Sequence, residues 1–209
     1  MADFPYYELD GRRYPRLHHI LDILDKPQLD AWRKCIGEEA SEEISRSTQA
    51  IGNKLDFLIV TALTGHAVTL TRAAKPELVS AWTGWQRWRT LQPDPFEITS
   101  IQRPYVSALY GYGATPDFVQ PLMVTDWKAT NRIRQENWIQ VHAEVPLIFH
   151  VAVWPAVKVR IVRLDKTFAE FEEVIQPFNQ NIWETFMALK RVYLDWFGSA
   201  LRIPQEVMA

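Results

Sequence analysis

The hydrophobic positions of residues 1–92 recur with the period of an α-helix. One long helix is predicted over residues 38–64, where aliphatic side chains recur near helical spacing and acidic residues occupy the first turns, which the helix dipole favours. Pro27 and Pro76 are each well placed as the first residue of a further helix. Residues 17–24 predict a short amphipathic helix. This part of the chain is therefore expected to be mainly helical.

The pattern changes at Pro93 to the alternation that is typical of β-strands. Residues 96–110 alternate and are rich in β-formers, so they predict a strand, and residues 117–128 predict a hairpin that turns around Gln120 and Pro121. Beyond the hairpin the pattern predicts, in order, a helix from near Asn131 to 149, two strands at 156–165 and 168–175, and a long helix at 177–197. This order of elements predicts an α/β fold, in which a central mixed β-sheet is flanked by helices on both sides.

The chain is predicted to form one domain. Its 209 residues suit a single domain with a substantial core, and no repeat or linker divides it. Within it we distinguish a mainly helical part at 1–92, a sheet core at 93–175 that contains the hairpin, and a C-terminal helix and tail at 176–209. The N-terminus lacks the apolar run of a signal peptide and no stretch is long enough to span a membrane, so a soluble cytoplasmic protein is expected.

Composition restricts the classes of partner and site. The net charge is −2, so a nucleic-acid partner would have to be held by a local positive patch or through bound metal. The single cysteine, Cys35, excludes an internal disulfide or a multi-cysteine metal site, and we expect it to be a small buried apolar residue. Trp82, Trp85 and Trp88 recur on one helical face and are expected in the core, although stacking on single-stranded bases stays open.

Three charged residues interrupt the apolar pattern of the predicted hairpin. If the turn is centred at 121–122, residues whose numbers sum to 243 face each other, which places Asp117 directly opposite Asp126. Lys128 lies two residues beyond Asp126 and therefore on the same face of the sheet. Two opposed carboxylates repel each other unless a cation neutralises them. The hairpin thus predicts two acids and a lysine that converge on one spot.

That cluster fits metal-assisted hydrolysis of a phosphodiester. Mg²⁺ takes oxygen ligands and is typically held by one or two carboxylates together with substrate phosphate. The lysine could orient or deprotonate a water, or stabilise the charge that develops on the phosphate. The alternative is structural: Asp126 and Lys128 would lie on a solvated edge and Asp117 would cap a turn, since Asp-x-Lys is a common tripeptide.

Two motifs of the hairpin have counterparts in a known family. Residues 110–117 are YGYGATPD and residues 126–130 are DWKAT. Both resemble the core of the PD-(D/E)XK nuclease superfamily, which has a restriction-endonuclease-like fold, and specifically its RecB-like exonuclease branch from bacteria and phages. The similarity continues upstream, where YPRLHHILDILDKPQLDAW at 14–32 resembles the first segment and helix of that branch. The ordered resemblance spans roughly residues 14–165.

The resemblance implies further site residues on two helices. The family carries Gly-x-x-x-His on a long helix, with the histidine as a metal ligand, and here Gly52 is followed by Asp56 at that position. A later helix carries Trp-x-Gln-x-x-x-Tyr, and here Trp138 and Gln140 match while Glu144 replaces the tyrosine. The implied metal ligands are Asp56, Asp117 and Asp126, and the implied catalytic residues are Asp117, Asp126, Lys128 and Gln140.

Departures from the family bear on activity. Asp56 in place of histidine is a hard oxygen ligand suited to Mg²⁺ or Mn²⁺. The resemblance implies that its helix packs over the active face of the hairpin, where Asp56 would complete a three-carboxylate site. Gln102 stands where many members carry a strand glutamate, and Glu144 is expected to put an acid near the DNA.

The resemblance implies a Mg²⁺- or Mn²⁺-dependent deoxyribonuclease, an exonuclease of DNA recombination, repair or phage DNA processing. Phage origin would place it in the host cytoplasm. DNA contacts are expected from Arg132 and Arg134, which follow the hairpin, and from Arg46 and Lys54 on the helix of Asp56, although a solvated face also explains these residues.

Other functional classes stay open from the sequence. One alternative is a catalytically weakened nuclease-fold protein that binds DNA or protein, which the departures at Gln102 and Glu144 favour. Another is a partner-binding α/β domain with no nucleic-acid role. A homo-oligomer or a recombination partner protein also stays open, and no membrane partner is expected.

Overall fold

A computed structural model of the chain describes residues 6–24 and 27–198. The helices are α1 (Leu17–Leu21), α2 (Pro27–Ile36), α3 (Glu38–Leu63), α4 (Pro76–Thr90), α5 (Gln135–Ile148) and α6 (Gln180–Phe197), with a 3₁₀ helix at Val151–Ala156. The strands are β1 (Tyr6–Leu9), β2 (Arg12–Pro15), β3 (Ser100–Ile101), β4 (Tyr105–Ser107), β5 (Tyr112–Ala114), β6 (Phe118–Gln120), β7 (Met123–Lys128), β8 (Lys158–Leu164) and β9 (Phe171–Pro177).

A five-stranded mixed sheet forms the centre of the fold, in the order β3-β6-β7-β8-β9. Strands β7 and β8 are parallel, because α5 and the 3₁₀ helix connect them, and the other neighbours are antiparallel. Two-stranded sheets pair β1 with β2 and β4 with β5. The predicted α/β architecture, with a central mixed sheet flanked by helices, is confirmed. Among the described helices, none is long and apolar enough to cross a membrane.

The two faces of β7 belong to two different cores. Trp127 lies in one hydrophobic cluster with Leu55 of α3 and Trp88 of α4. Val124 lies in another cluster with Val141 of α5. Because successive strand residues point to opposite faces, Asp126 and Lys128 share the face of Val124, which α5 covers. The helix α5 is therefore the element that encloses the charged part of the hairpin.

A buried arginine ties the central strands together on the Trp127 face. Arg160 of β8 is 3% exposed, and its Nε donates to the Thr125 hydroxyl of β7 at 3.0 Å. Its guanidinium also donates to the Gln120 side chain at the end of β6, and lies 3.4 Å from a carboxylate oxygen of Glu173 on β9. The ring of Trp88 lies 4.9 Å from the guanidinium carbon, in cation–π contact. These contacts connect β8 to its neighbours β7 and β9 and to β6 beyond them, and support the strand register.

Most predicted helices are observed with nearly their predicted bounds, and one predicted strand is wrong. Residues 96–110 form two short strands, β3 and β4, in different sheets. Between them, Gln102 has a left-handed φ of 43° and Pro104 cannot donate a backbone hydrogen bond, so one continuous strand cannot form. The helix predicted from near Asn131 begins only at Gln135.

Two further features differ from the prediction or were missed. The β1–β2 hairpin was missed, although its turn at Asp10 and Gly11, with φ of 50° and 70°, is a standard hairpin dipeptide. Cys35 is exposed, so its predicted burial is wrong. Trp82, Trp85 and Trp88 are buried, as predicted.

A matched pair of helical glycines tests the packing of α4 against the β8–β9 connection. A Cβ at Gly84 would lie 2.6 Å from the carbonyl oxygen of Glu170, whereas a Cβ at Gly52 of α3 meets nothing within 4 Å. We expect Gly84→Ala to lower the free energy of unfolding by about 1–3 kcal/mol through overpacking. Gly52→Ala should instead raise it by about 0.5–1 kcal/mol, because alanine favours the helix.

Urea unfolding of both variants beside the wild type measures these changes. Equal effects of the two substitutions would contradict the close contact at Gly84.

Candidate active site

The hairpin has the predicted register. Phe118 pairs with Thr125 and Gln120 with Met123, so the numbers of facing residues sum to 243. The turn consists of Pro121 and Leu122, and Leu122 adopts a left-handed φ of 56°. Asp117 directly precedes β6, and the same register extended by one residue would place it opposite Asp126.

Asp117 is fixed to the opposite strand by its own side chain. Its Oδ2 accepts a hydrogen bond from the backbone N–H of Trp127 at 3.0 Å. Its backbone carbonyl accepts from the N–H of Gln102 at 3.1 Å, so Gln102 lies beside it, directly after β3, with an exposed side chain. The Asp117 carboxylate therefore lies next to the segment that carries Asp126 and Lys128.

Asp126 is buried and hydrogen-bonded on one oxygen only. Its side chain is 1% exposed, which contradicts the alternative of a solvated edge. Its Oδ1 accepts from Lys128 Nζ at 2.9 Å and from Gln140 Nε2 at 3.0 Å. Its Oδ2 is buried and has no hydrogen-bond partner among the residues that the structure describes. A buried carboxylate oxygen without a donor is costly, and a bound cation would satisfy it.

Gln140 of α5 connects the other side chains of the cluster. Its Oε1 accepts from Lys128 Nζ at 3.1 Å, while its Nε2 donates to Asp126 and, at 3.3 Å, to Glu144 Oε1. Glu144 lies one helical turn further along α5 and is 1% exposed. This carboxyl is therefore enclosed behind Gln140, and the expectation that it puts an acid near the DNA stays a prediction. The i,i+4 spacing of the two residues was the signal for this contact.

Asp56 reaches the cluster from α3. Desolvation raises the pKa of Asp56 to about 6, the nearby Lys128 ammonium lowers it and the Asp126 charge raises it, so Asp56 lies within electrostatic range of both. The expectation that α3 covers the active face is wrong, since Leu55 of α3 packs with Trp127 on the opposite face and α5 covers the active one. Asp56, next to Leu55, extends from the border of that core.

The cluster holds more carboxyl groups than cations. Burial and then the charge of Asp126 raise the pKa of Asp117 well above its usual range. Burial, with a further contribution from Asp126, raises the pKa of Glu144 to about 8. Desolvation lowers the pKa of Lys128, but the charges of Asp126 and Asp117 outweigh it, and the pKa lies above the usual range. Lys128 is therefore a charged ammonium group among competing acids.

The donor chemistry of the cluster fits a hard divalent cation. Asp56, Asp117 and Asp126 offer only oxygen ligands, and the Oδ2 of Asp126, which has no hydrogen-bond partner among the described residues, is available to bind a cation. Across residues 6–24 and 27–198, however, no three His, Cys, Asp or Glu side chains are close enough together to hold a metal ion. The Lys128 ammonium lies against Asp126 instead. The three-carboxylate ligand set thus stays a prediction.

The four predicted DNA contacts lie at different distances from the cluster. Arg132 and Arg134 are exposed in the segment between β7 and α5, and Arg134 lies 3.6 Å from Glu136. On α3, the helical period places Lys54 about 160° around the axis from Asp56, and Arg46 about 15 Å toward the N-terminus.

Lys54 instead lines a different groove. This groove, of about 480 Å³, lies between α3, the residues around 69–75 and the start of α4. The structure therefore brings Arg132 and Arg134 next to the end of β7 and separates Lys54 from the cluster.

Comparison with known proteins gives weak similarities only. No protein-family model matches the sequence, and no curated protein matches it. The crystal structure of an alkaline exonuclease (LHK-Exo) from Laribacter hongkongensis is 14% identical, with 72% of this chain and 80% of that chain covered and a TM-score of 0.44. The same enzyme in complex with dAMP is 13% identical, with the same coverage and a TM-score of 0.36. Similarity at this level carries no argument about function.

The burial of Glu144 predicts a pH-dependent stability difference between the wild type and Glu144→Gln. Burial raises the pKa of Glu144 in the folded protein to about 8, whereas the unfolded chain ionises near the ordinary glutamate pKa of 4.5. Between pH 4.5 and about 8, Glu144 is ionised in the unfolded chain but still protonated in the folded protein. The free energy of unfolding of the wild type therefore falls as pH rises toward 8. The glutamine cannot ionise. We therefore expect the Tm of Glu144→Gln, relative to wild type, to rise from pH 5 to pH 9.

Thermal unfolding in EDTA at several pH values measures this difference. The exposed Glu39→Gln controls for the loss of one negative charge. A Tm difference that is constant with pH would contradict the burial of an ionisable Glu144.

Proposed function

We propose that this protein is a metal-dependent DNA nuclease that hydrolyses phosphodiester bonds. The observation that carries the proposal is the buried cluster in which Asp117 accepts a hydrogen bond from the Trp127 backbone, next to Asp126, while Lys128 and Gln140 are bonded to Asp126. Such a cluster is costly to the fold without a function, because it concentrates carboxyl groups away from water. The hairpin motifs favour a PD-(D/E)XK nuclease core of the RecB-like exonuclease branch.

In this proposal each side chain has a separate role. Asp56, Asp117 and Asp126 would hold Mg²⁺ or Mn²⁺, and the bound cation would supply Lewis-acid stabilisation of the phosphate charge. Lys128 donates hydrogen bonds to the attacking water or to a phosphate oxygen, and so stabilises the charge that develops there. Gln140 keeps Lys128 and Asp126 in a fixed relation.

The reaction is an ordinary hydrolysis. Water adds to phosphorus, the bond from phosphorus to the leaving ester oxygen breaks, and that oxygen ends as a hydroxyl after it takes up a proton. Buried polar groups that surround the phosphate need no reorganisation when charge develops, which is the source of the rate enhancement.

DNA binding is proposed to depend on few phosphate contacts. Arg132 and Arg134 precede α5 and directly follow the strand that carries Lys128, so their exposed side chains are suited to the phosphates on either side of the cleaved bond. Arg46 and Lys54 lie further away on α3 and would contact DNA only along a longer path. With a net charge of −2, the remaining affinity would come through the metal.

A second candidate is a nuclease-fold protein that binds DNA and cleaves it weakly. The observation that favours it is the 2.9 Å ion pair of Lys128 and Asp126, which neutralises one proposed ligand, together with the neutral Gln102 beside Asp117. Such a protein would bind linear DNA but release few or no nucleotides with Mg²⁺ or Mn²⁺. The same cleavage assay therefore separates the two candidates.

The proposed function predicts that Asp126→Asn abolishes metal-dependent cleavage. The asparagine keeps the size of the side chain but removes the charge that would bind the cation. With linear DNA and Mg²⁺ or Mn²⁺, we expect the rate of nucleotide release to fall at least about a hundredfold, which is typical for loss of a central electrostatic group. EDTA should abolish release by the wild type.

The matched control is Asp30→Asn, at an exposed aspartate of α2 that pairs with Arg33 at 3.6 Å. It should cleave like the wild type. Undiminished cleavage by Asp126→Asn would remove the hairpin from the mechanism.

The ligand role of Asp56 predicts weaker metal binding by Asp56→Asn. A third carboxylate increases the affinity of a site for hard divalent cations. We expect the dissociation constant of Mn²⁺, measured by calorimetry, to rise about tenfold or more in the variant. Glu43→Gln, at an exposed acid on the same helix, should leave it unchanged. An unaltered constant for Asp56→Asn would show that Asp56 is not a ligand.

A further inference from the structure

A buried acid on α5 has no place in the roles described so far. Glu144 is 1% exposed, and its Oε2 is buried without a hydrogen-bond partner among the described residues. The hydrogen bond that the structure gives this carboxyl is the 3.3 Å contact from Gln140 Nε2 to its Oε1. We infer that Glu144 is a positioning residue that acts through Gln140 on Lys128 and Asp126; the inference rests on the proposed nuclease function.

The hydrogen bonds of the Gln140 amide carry this inference. An amide has two N–H donors and one carbonyl acceptor. The carbonyl accepts from Lys128, one N–H donates to Asp126, and the other donates to Glu144. All the N–H groups of the amide are thus used, and its plane is held at three points. Without Glu144, the amide could rotate about its last bond and weaken its contacts with Lys128 and Asp126.

A purely structural role does not explain an acid at this position. Its chain neighbours on α5, Ala143 and Val145, are apolar and fully buried, and Gln140 is the side chain that bonds to the Glu144 carboxyl. Tyr112, from the neighbouring strand β5, donates its hydroxyl to the carbonyl of Ala143 and not to Glu144. An apolar side chain of similar volume would fill the space without an unsatisfied oxygen, and such replacements are often neutral or stabilising. What the acid adds is the acceptor for Gln140.

Two substitutions separate the acceptor from the volume. Glu144→Met keeps the length of the side chain and removes the acceptor, whereas Glu144→Gln keeps a carbonyl oxygen that can accept from Gln140. We expect Glu144→Met to lower kcat for cleavage of linear DNA about tenfold with KM within about twofold, which corresponds to one net hydrogen bond lost near the reacting groups. Glu144→Gln should restore kcat to within about twofold of wild type.

A matched control exists on α6. There Gln180 Nε2 donates to Glu184 Oε1 at 2.8 Å, with the same spacing but at the exposed surface. Glu184→Met should leave kcat and KM unchanged. Wild-type kcat in Glu144→Met, or equal loss in Glu144→Met and Glu144→Gln, would overturn the inference. If Glu144→Met does not fold, Glu144→Asp replaces it, because the shorter side chain withdraws the carboxyl from Gln140.

A second measurement does not depend on cleavage. In ¹⁵N–¹H NMR spectra the two side-chain amide protons of Gln140 should exchange slowly with water in the wild type and in Glu144→Gln. In Glu144→Met at least one should exchange at least about tenfold faster, while the Gln180 amide behaves alike in all three proteins. Unchanged Gln140 exchange in Glu144→Met would overturn the positioning role. Lack of cleavage by the wild type, with the expected exchange, would instead count only against the nuclease proposal.

Discussion

The site depends on the ammonium group of Lys128, whose positive charge offsets the repulsion among the buried acids around it. It lies 2.9 Å from Asp126 and 3.1 Å from the Gln140 carbonyl. Burial raises the pKa values of Asp56, Asp117 and Glu144, and the charge of Lys128 offsets part of that rise. These acids come from three layers of the fold: a helix on one face of the sheet, the strands themselves and a helix on the other face. The Lys128 ammonium therefore interacts with acids from both helix layers as well as from the hairpin.

The chemistry of the hairpin could be predicted because it follows from local rules. The alternation of strand residues and the position of the turn fix which residues face each other, and the observed pairs of Phe118 with Thr125 and Gln120 with Met123 follow that register. The long helix α3 was predictable for a similar reason, since Ile51, Leu55 and Ile59 recur at helical spacing and are buried on one face. The register of the hairpin and the apolar spacing of α3 can each be read from one segment of the sequence, without knowing which other segments pack against it.

The features that could not be predicted from the sequence depend on contacts between distant segments. The break at Gln102 and the separation of β3 from β4 reflect pairing with different partners, which no local pattern records. The burial of Glu144 depends on α5 lying over β7, and the approach of Asp56 depends on α3 packing on the opposite face. The predicted burial of Cys35 is wrong because this residue lies on α2, and most of the described side chains of α2 are exposed to solvent. Tertiary context thus overrode composition at each of these positions.

The short turn at Pro121 and Leu122 restricts how this protein can change in evolution. Strand side chains alternate between faces, so one residue inserted within β7 before Asp126 would move Asp126 to the side of Trp88 and Leu55, among apolar side chains. Insertions or deletions in relatives of this hairpin should therefore be confined to the turn itself, or occur within the strands in pairs. The segment from Gly65 to Lys75 joins α3 to α4 outside the sheet. Because its side chains do not alternate between two faces of a sheet, it can change in length by any number of residues.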